Sequence, residues 1–290
     1  MKTVIFAALV LSALVAASPL AAEDYELVYK FQPGEELRTQ VVHLVTVESK
    51  IKGVKQTAKT RSVSTRVWKI IGVDAKGNIT LDNSVAAVNM WQSHTDEKGT
   101  KEISYNSEKD SEPPPQYEPV AKTVGLTLAT LTIDPSGKII DRRSNQPTFN
   151  PGIGELAVPL PGKRVKVGDT WFVPEEVKLK TDEGLVKRIE TRQLYKLEKV
   201  ELGVATISVV TQILTPISDP QLQSQLVQRM QAGTIKFDID AGRLIHKQMD
   251  LDESVLGFAG PDSHMQYLAR LTEEPLRMQT ARAGGESQSK

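Results

Sequence analysis

The chain has 290 residues, with 36 lysines and arginines against 36 aspartates and glutamates, no cysteine, and aromatic residues at only 5%. A neutral charge sum argues against nucleic acid as a partner, because such binders carry a basic excess. The missing cysteines exclude disulfides, cysteine nucleophiles and a lipid-modified N-terminal cysteine.

Residues 1–22 read as a secretory signal. Lys2 precedes an apolar run from Val4 to Ala17, and Ser18-Pro19-Leu20-Ala21-Ala22 supplies a helix breaker and a small-residue end. That order is the one a cleavable signal needs. The run is shorter than the ~20 residues that span a bilayer, and its downstream flank, Glu23-Asp24, is acidic. Cleavage is expected after Ala22, giving a secreted or periplasmic product with no transmembrane segment.

Beyond the signal the dominant period is two. From Leu37 to Glu48, one face carries Leu37, Thr39, Val41, His43, Val45 and Val47, and the other carries the intervening residues. Alternation of this kind predicts a half-buried antiparallel strand. Further strands are predicted over 25–31, 54–73, 78–92, 100–106, 127–134, 138–144, 170–181, 185–200, 204–215, 233–239, 243–254 and 264–272. Several exceed the usual run of about five or six residues, and long strands must twist and curl. The fold class is therefore mainly β, with two similar curved antiparallel sheets or half barrels, each with a short helix.

Turns at Asp74–Asn78, Asp134–Gly137 and Asp240–Gly242 join strands through aspartate caps and glycines. One helix is predicted over Gln221–Gln231. Ser218-Asp219-Pro220 starts it, Gly233 closes it, and Leu222, Leu226, Val227 and Met230 form its apolar stripe. A shorter one is predicted over Glu118–Val124. Asn106–Glu118 reads as a charged, proline-rich linker. The tail 277–290 has nothing apolar to bury and is expected to be disordered.

A Pro/Gly-rich linker, 146–162, divides the mature chain into a first β-rich repeat, 23–145, and a second, 163–276. Phe31-Gln32-Pro33-Gly34-Glu35 and Val165-Lys166-Val167-Gly168-Asp169 both precede a long alternating strand. Thr60-Arg61 is matched with Thr191-Arg192, and Gly77-Asn78-Ile79-Thr80 with Gly203-Val204-Ala205-Thr206. Ordered self-similarity of this kind predicts a duplicated unit.

Tyr29–Glu35 and Pro159–Trp171 resemble a group of exported bacterial β-rich proteins of unknown function. The resemblance implies an extracytoplasmic β protein and transfers no catalytic residue. In outline, a curved sheet around helices is also similar to periplasmic lipoprotein carriers, at the level of fold alone.

No catalytic, cofactor-binding or metal-binding residue is assigned from the sequence. His43, His94, His246 and His264 lack a second ligand at metal spacing. No Gly-x-Ser-x-Gly occurs. Carboxylate pairs abound, among them Glu35-Glu36, Glu175-Glu176, Glu273-Glu274 and Asp250 with Asp252, and a carboxylate-dependent hydrolase would draw on such residues; Asp250, Asp252 and Glu253 lack the glycine-centred loop of a calcium site. Trp68, Trp91 and Trp171 are expected to anchor the core, with Trp171 alternatively at a groove mouth. The leading expectation is a non-enzymatic exported protein that binds a lipid, another apolar ligand or an envelope protein. The alternatives are a hydrolase and a purely structural protein.

Overall fold

The computed structural model describes residues 23–144, 157–181 and 184–276. The signal, the predicted tail and most of the 146–162 linker lie outside the described residues. The chain runs β1 (Glu36–Ile51), β2 (Val54–Val73), β3 (Ile79–Asp96), β4 (Gly99–Asn106), α1 (Glu118–Ala121), β5 (Thr127–Ile133) and β6 (Ile139–Ser144). It continues with β7 (Thr170–Lys180), β8 (Val186–Glu201), β9 (Val204–Ile213), α2 (Pro220–Leu226), β10 (Ala232–Asp238), β11 (Arg243–Leu256) and β12 (His264–Pro275).

The mainly β, antiparallel architecture expected from the alternation is present, with one short helix in each run of strands. Most successive strands are joined by short hairpins and pair with each other; β4 and β5 instead both pair with β3, and β9 and β10 pair across the segment that holds α2. The two runs are not separate sheets. β12 pairs with β1, placing Glu273 opposite Val41 and Leu271 opposite His43. The order becomes β6-β5-β3-β2-β1-β12-β11-β10-β9-β8-β7, with β4 on the outer half of β3. The sheet does not close, so among the described residues β6 and β7 are edges. Pro174 sits in β7, where a missing N–H is tolerated and hinders further pairing.

The second run curls. α2 contacts both β7 and β11, although three strands separate these in the sheet. A glycine makes the curl possible. A Cβ built on Gly233 would lie 2.0 Å from the Gln248 carbonyl oxygen, so only hydrogen lets β10 approach β11 this closely. Gly233 therefore belongs to β10 and does not close the preceding helix, which ends at Leu226 and a 3₁₀ turn, Val227–Arg229.

The core rests on aliphatic residues of both runs. Leu81, Leu131 and Ile133 from the first and Ile207, Ile235 and Phe237 from the second are essentially inaccessible and belong to one cluster. The predicted strand 25–31 is instead an extended strap with a single bridge, Tyr25 to Val165. Its amides bond to turn carbonyls of both runs: Tyr29 N–H to Pro135 O at 2.8 Å and Lys30 N–H to Gly242 O at 3.1 Å. The backbone needs are met, but by turns rather than by a neighbouring strand.

The strap is held by Tyr29. Its hydroxyl accepts from Val158 N–H at 2.9 Å and donates to Val158 O at 3.2 Å. Tyr29→Phe leaves both buried backbone groups short of a partner and is expected to cost about 1–3 kcal/mol. A urea-denaturation midpoint checks this, and an unchanged midpoint would show that the strap carries no stability.

The two runs repeat a hydrogen-bond pattern. Gly34 N–H donates to Ile70 O and Ile70 N–H to Glu35 O, while Gly168 N–H donates to Leu197 O and Leu197 N–H to Asp169 O. In both turns the acidic side chain accepts from the amide three residues before it, Gln32 to Glu35 and Lys166 to Asp169. The same register then sets Leu37 opposite Trp68 and Trp171 opposite Tyr195.

Candidate functional site

A cavity of about 500 Å³ opens on the concave face of the curled run. Strand alternation supplies its walls, because every second residue of neighbouring strands turns inward. Across the sheet one row reads Tyr195, Val209, Gly233, Met249, Leu271 and His43, from β8 round to β1. Tyr195, Val209, Met249 and Leu271 from this row, with Ile235 beside it, make an apolar floor. Gln193 and Thr211 stand one row outward, and Gln228, Arg229 and Gln231 approach from the segment after α2.

α2 forms where predicted because Asp219 caps it, accepting from Gln221 N–H at 2.9 Å, and Pro220 starts its first turn. Leu222 and Leu226 pack on Leu179 of β7 and Ile189 of β8. Gln225 pins the helix to the sheet edge, accepting from Lys180 N–H at 3.2 Å and donating to Lys180 O at 2.8 Å. Past the helix, Arg229 reaches Glu175 of β7 at 3.6 Å across the rim. Both side chains are exposed, so the contact is weak and easily broken.

Three charged side chains are buried among the described residues: Arg66, Lys247 and Glu273. Arg66 of β2 reaches over β1 to Glu273 of β12 at 2.9 Å. Lys247 of β11 faces Glu273 in the ladder and lines the cavity. Sequence reading missed this group. In the sequence Glu273 stands only as half of an acidic pair, and nothing in the local pattern marks Arg66 or Lys247 as inward.

Of the four histidines, His43 alone reaches the cavity. His94 is exposed beside Asp96 at 3.8 Å, and His246 Nδ1 lies 3.0 Å from Glu274. Burial holds the His43 imidazole below its ordinary value. The unfolded chain therefore takes up the proton first as pH falls. Stability from this group is complete above the usual imidazole range and is lost as pH drops through it toward the lowered folded value. His43→Gln is expected to reduce the loss of stability between neutral and mildly acidic pH, measured as urea midpoints of both proteins across that window.

The acidic pairs do not converge. Glu175-Glu176 and Glu273-Glu274 lie within strands, where neighbours face opposite sides, and their partners differ. Glu175 meets Arg229 and Glu176 meets Arg188; Glu273 meets Arg66 and Glu274 meets His246. Asp250 and Asp252 alternate with inward Met249 and Leu251. Partial burial works against the charged form of Asp250, but hydrogen bonds from Arg270 and Gln248 outweigh it and lower its pKa. Among the described residues, no group of three or more His, Asp or Glu side chains is placed to share a metal ion. Trp171 is a core residue that continues the floor row by one strand, opposite Tyr195 in the ladder and stacked on it at 5.5 Å, with its indole N–H donating to Pro159 O.

No family model matches the chain, and no curated protein matches it. Distant similarities are found among solved structures. Lipovitellin, described for its lipid–protein interactions, is 14% identical with a TM-score of 0.44, over 90% of this chain and 27% of that one. OccK7 (OpdD) of Pseudomonas aeruginosa is 7% identical with a TM-score of 0.27, over 84% of this chain and 99% of that one. DynF from the dynemicin pathway of Micromonospora chersina is 8% identical at 0.18, over 93% and 92%. The chain thus spans about 27% of the length of lipovitellin. Likenesses at this level carry no argument about a ligand.

Proposed function

We propose that the chain is an exported binding protein, built from two copies of one β unit, that holds an apolar ligand in the cavity of its second run. The observation that carries this reading is the cavity itself. At about 500 Å³ it falls within the ~300–1,000 Å³ of small-molecule sites. Its apolar floor and polar rim have the character of such sites, where apolar surface gives affinity and a few polar groups give orientation. The export half of the proposal rests on residues 1–22, and the duplication on the repeated Gly-acid turn.

Val209→Trp tests the reading. Val209 is buried on the floor, so an indole there occupies space a ligand needs. The unmodified chain is expected to take up the apolar fluorophore N-phenyl-1-naphthylamine saturably, and the variant to lose most of that signal while keeping its β circular dichroism. Equal uptake by both would place the ligand elsewhere.

A further inference from the structure

The polar lining of the cavity is sorted by row. On the row outward of the floor, Gln193 of β8 stands opposite Thr211 of β9, and Thr211 N–H donates to Gln231 O at 2.9 Å, just before β10. These three cavity-lining side chains are uncharged. The charged ones stand apart from them and are matched within the protein. Lys247 lies opposite Ile235, two rows from Gln231, where Glu273 faces it and the protein's own groups engage it. Glu175 and Arg229 meet each other at the rim at 3.6 Å.

Thr211 is only 6% exposed, and its hydroxyl has no hydrogen-bond partner among the described residues. A hydroxyl held away from water without a partner is destabilising, and an apolar side chain of the same shape avoids that cost. The oxygen therefore does nothing for the fold. Its neighbours also keep hydrogen-bonding capacity in reserve. Gln193 Oε1 accepts from the Tyr195 hydroxyl, which leaves the Gln193 amide N–H groups to donate. Gln231 Nε2 donates to Gln228 O at 3.4 Å, which leaves Gln231 Oε1 to accept.

We infer that the ligand is an amphiphile with an uncharged hydroxyl at its polar end, set on Gln193, Thr211 and Gln231, and with its apolar body over the floor. The inference rests on the binding function proposed above and adds the ligand's chemistry. A hydroxyl both accepts and donates, so one oxygen can accept from Gln193 and donate to Thr211 or Gln231. An ester or ketone only accepts and offers the Gln231 oxygen nothing. A carboxylate carries a charge into a row that holds no cation, which is unfavourable away from water.

Displacement of N-phenyl-1-naphthylamine from the full chain by decanol, decyl chloride and decanoate tests this. The chloride matches the alcohol in length and lacks its hydroxyl. In Thr211→Val the ratio of alcohol to chloride affinity is expected to fall roughly two- to tenfold, the equivalent of one neutral hydrogen bond. Thr211→Ser keeps the oxygen and is expected to keep the ratio of the unmodified chain. The urea midpoint of Thr211→Val is expected to equal or exceed that of the unmodified chain, because the hydroxyl has no partner to lose. An unchanged ratio in Thr211→Val would overturn the inference and leave apolar binding standing. So would decanoate binding more tightly than decanol. A lowered midpoint, or failure of Thr211→Val to fold, would assign the hydroxyl to the fold and overturn the inference as well. If none of the three ligands displaced the fluorophore, the proposed function would fall with it.

Discussion

Replacing Glu273 by alanine is expected to lower the stability of the fold by about 3–5 kcal/mol. The side chain is almost completely buried and lies 2.9 Å from Arg66, which is buried as deeply. Removing the carboxylate takes from the buried Arg66 guanidinium the counter-charge it meets at 2.9 Å. A buried charge that has lost its counter-charge costs far more than the pair contributed, because the desolvation penalty remains and its offset is gone. The location adds to the effect. Arg66 and Glu273 bridge β2, β1 and β12, which is where the two runs of strands become one sheet. Urea titration of Glu273→Ala against the unmodified chain reads the loss directly. The double replacement Arg66→Met with Glu273→Leu is expected to be milder than Glu273→Ala alone. If the double replacement were the more damaging, the charges would be net stabilisers and the account of this wall would be wrong.

The second large effect is expected at Phe237. Its ring is fully buried in β10 and meets the Tyr29 ring edge-on at 5.5 Å. That contact joins the second run to the strap, which in turn bonds to Pro135 of the first run. Phe237→Ala removes an aromatic ring from the packed centre and is expected to cost about 3–5 kcal/mol in transfer and cavity terms. The measured quantity is again the urea midpoint, with Trp68 and Trp171 fluorescence as the reporter. A loss below about 1 kcal/mol would mean that the strap and β10 relax together to fill the gap.

Strand alternation made the fold class legible. In β1 the face carrying Leu37, Thr39, Val41 and His43 is the inward one, as the period of two requires. The Asp219-Pro220 start of α2 was equally readable, because a cap is a local event. What failed was non-local. Residues 25–31 alternate like a strand, yet their amides are claimed by turns far along the chain. Gly233 has the local look of a helix stop, but its role is set by Gln248, fifteen residues away in a strand whose pairing with β10 the local sequence does not reveal. The Thr60-Arg61 match to Thr191-Arg192 is also displaced. Hydrogen bonding makes Ile70 equivalent to Leu197 and Trp68 to Tyr195, because the β7–β8 hairpin is shorter than the β1–β2 hairpin.

The site itself was only half visible. Apolar floor residues follow from alternation, but a concave cavity requires the curl of seven strands, which depends on pairing order. The inward charges are the clearest case. Lys247 follows His246 in a strand with no motif around it, and only the β11–β12 register sets it against Glu273.

The central claim is that the curled run encloses a ligand, and native mass spectrometry of the protein purified from its own host tests it most directly. The account predicts a species heavier than the bare chain by the mass of one small apolar ligand, released on gentle activation and absent from Val209→Trp. A bare chain mass in both proteins, with N-phenyl-1-naphthylamine uptake also missing, would contradict it.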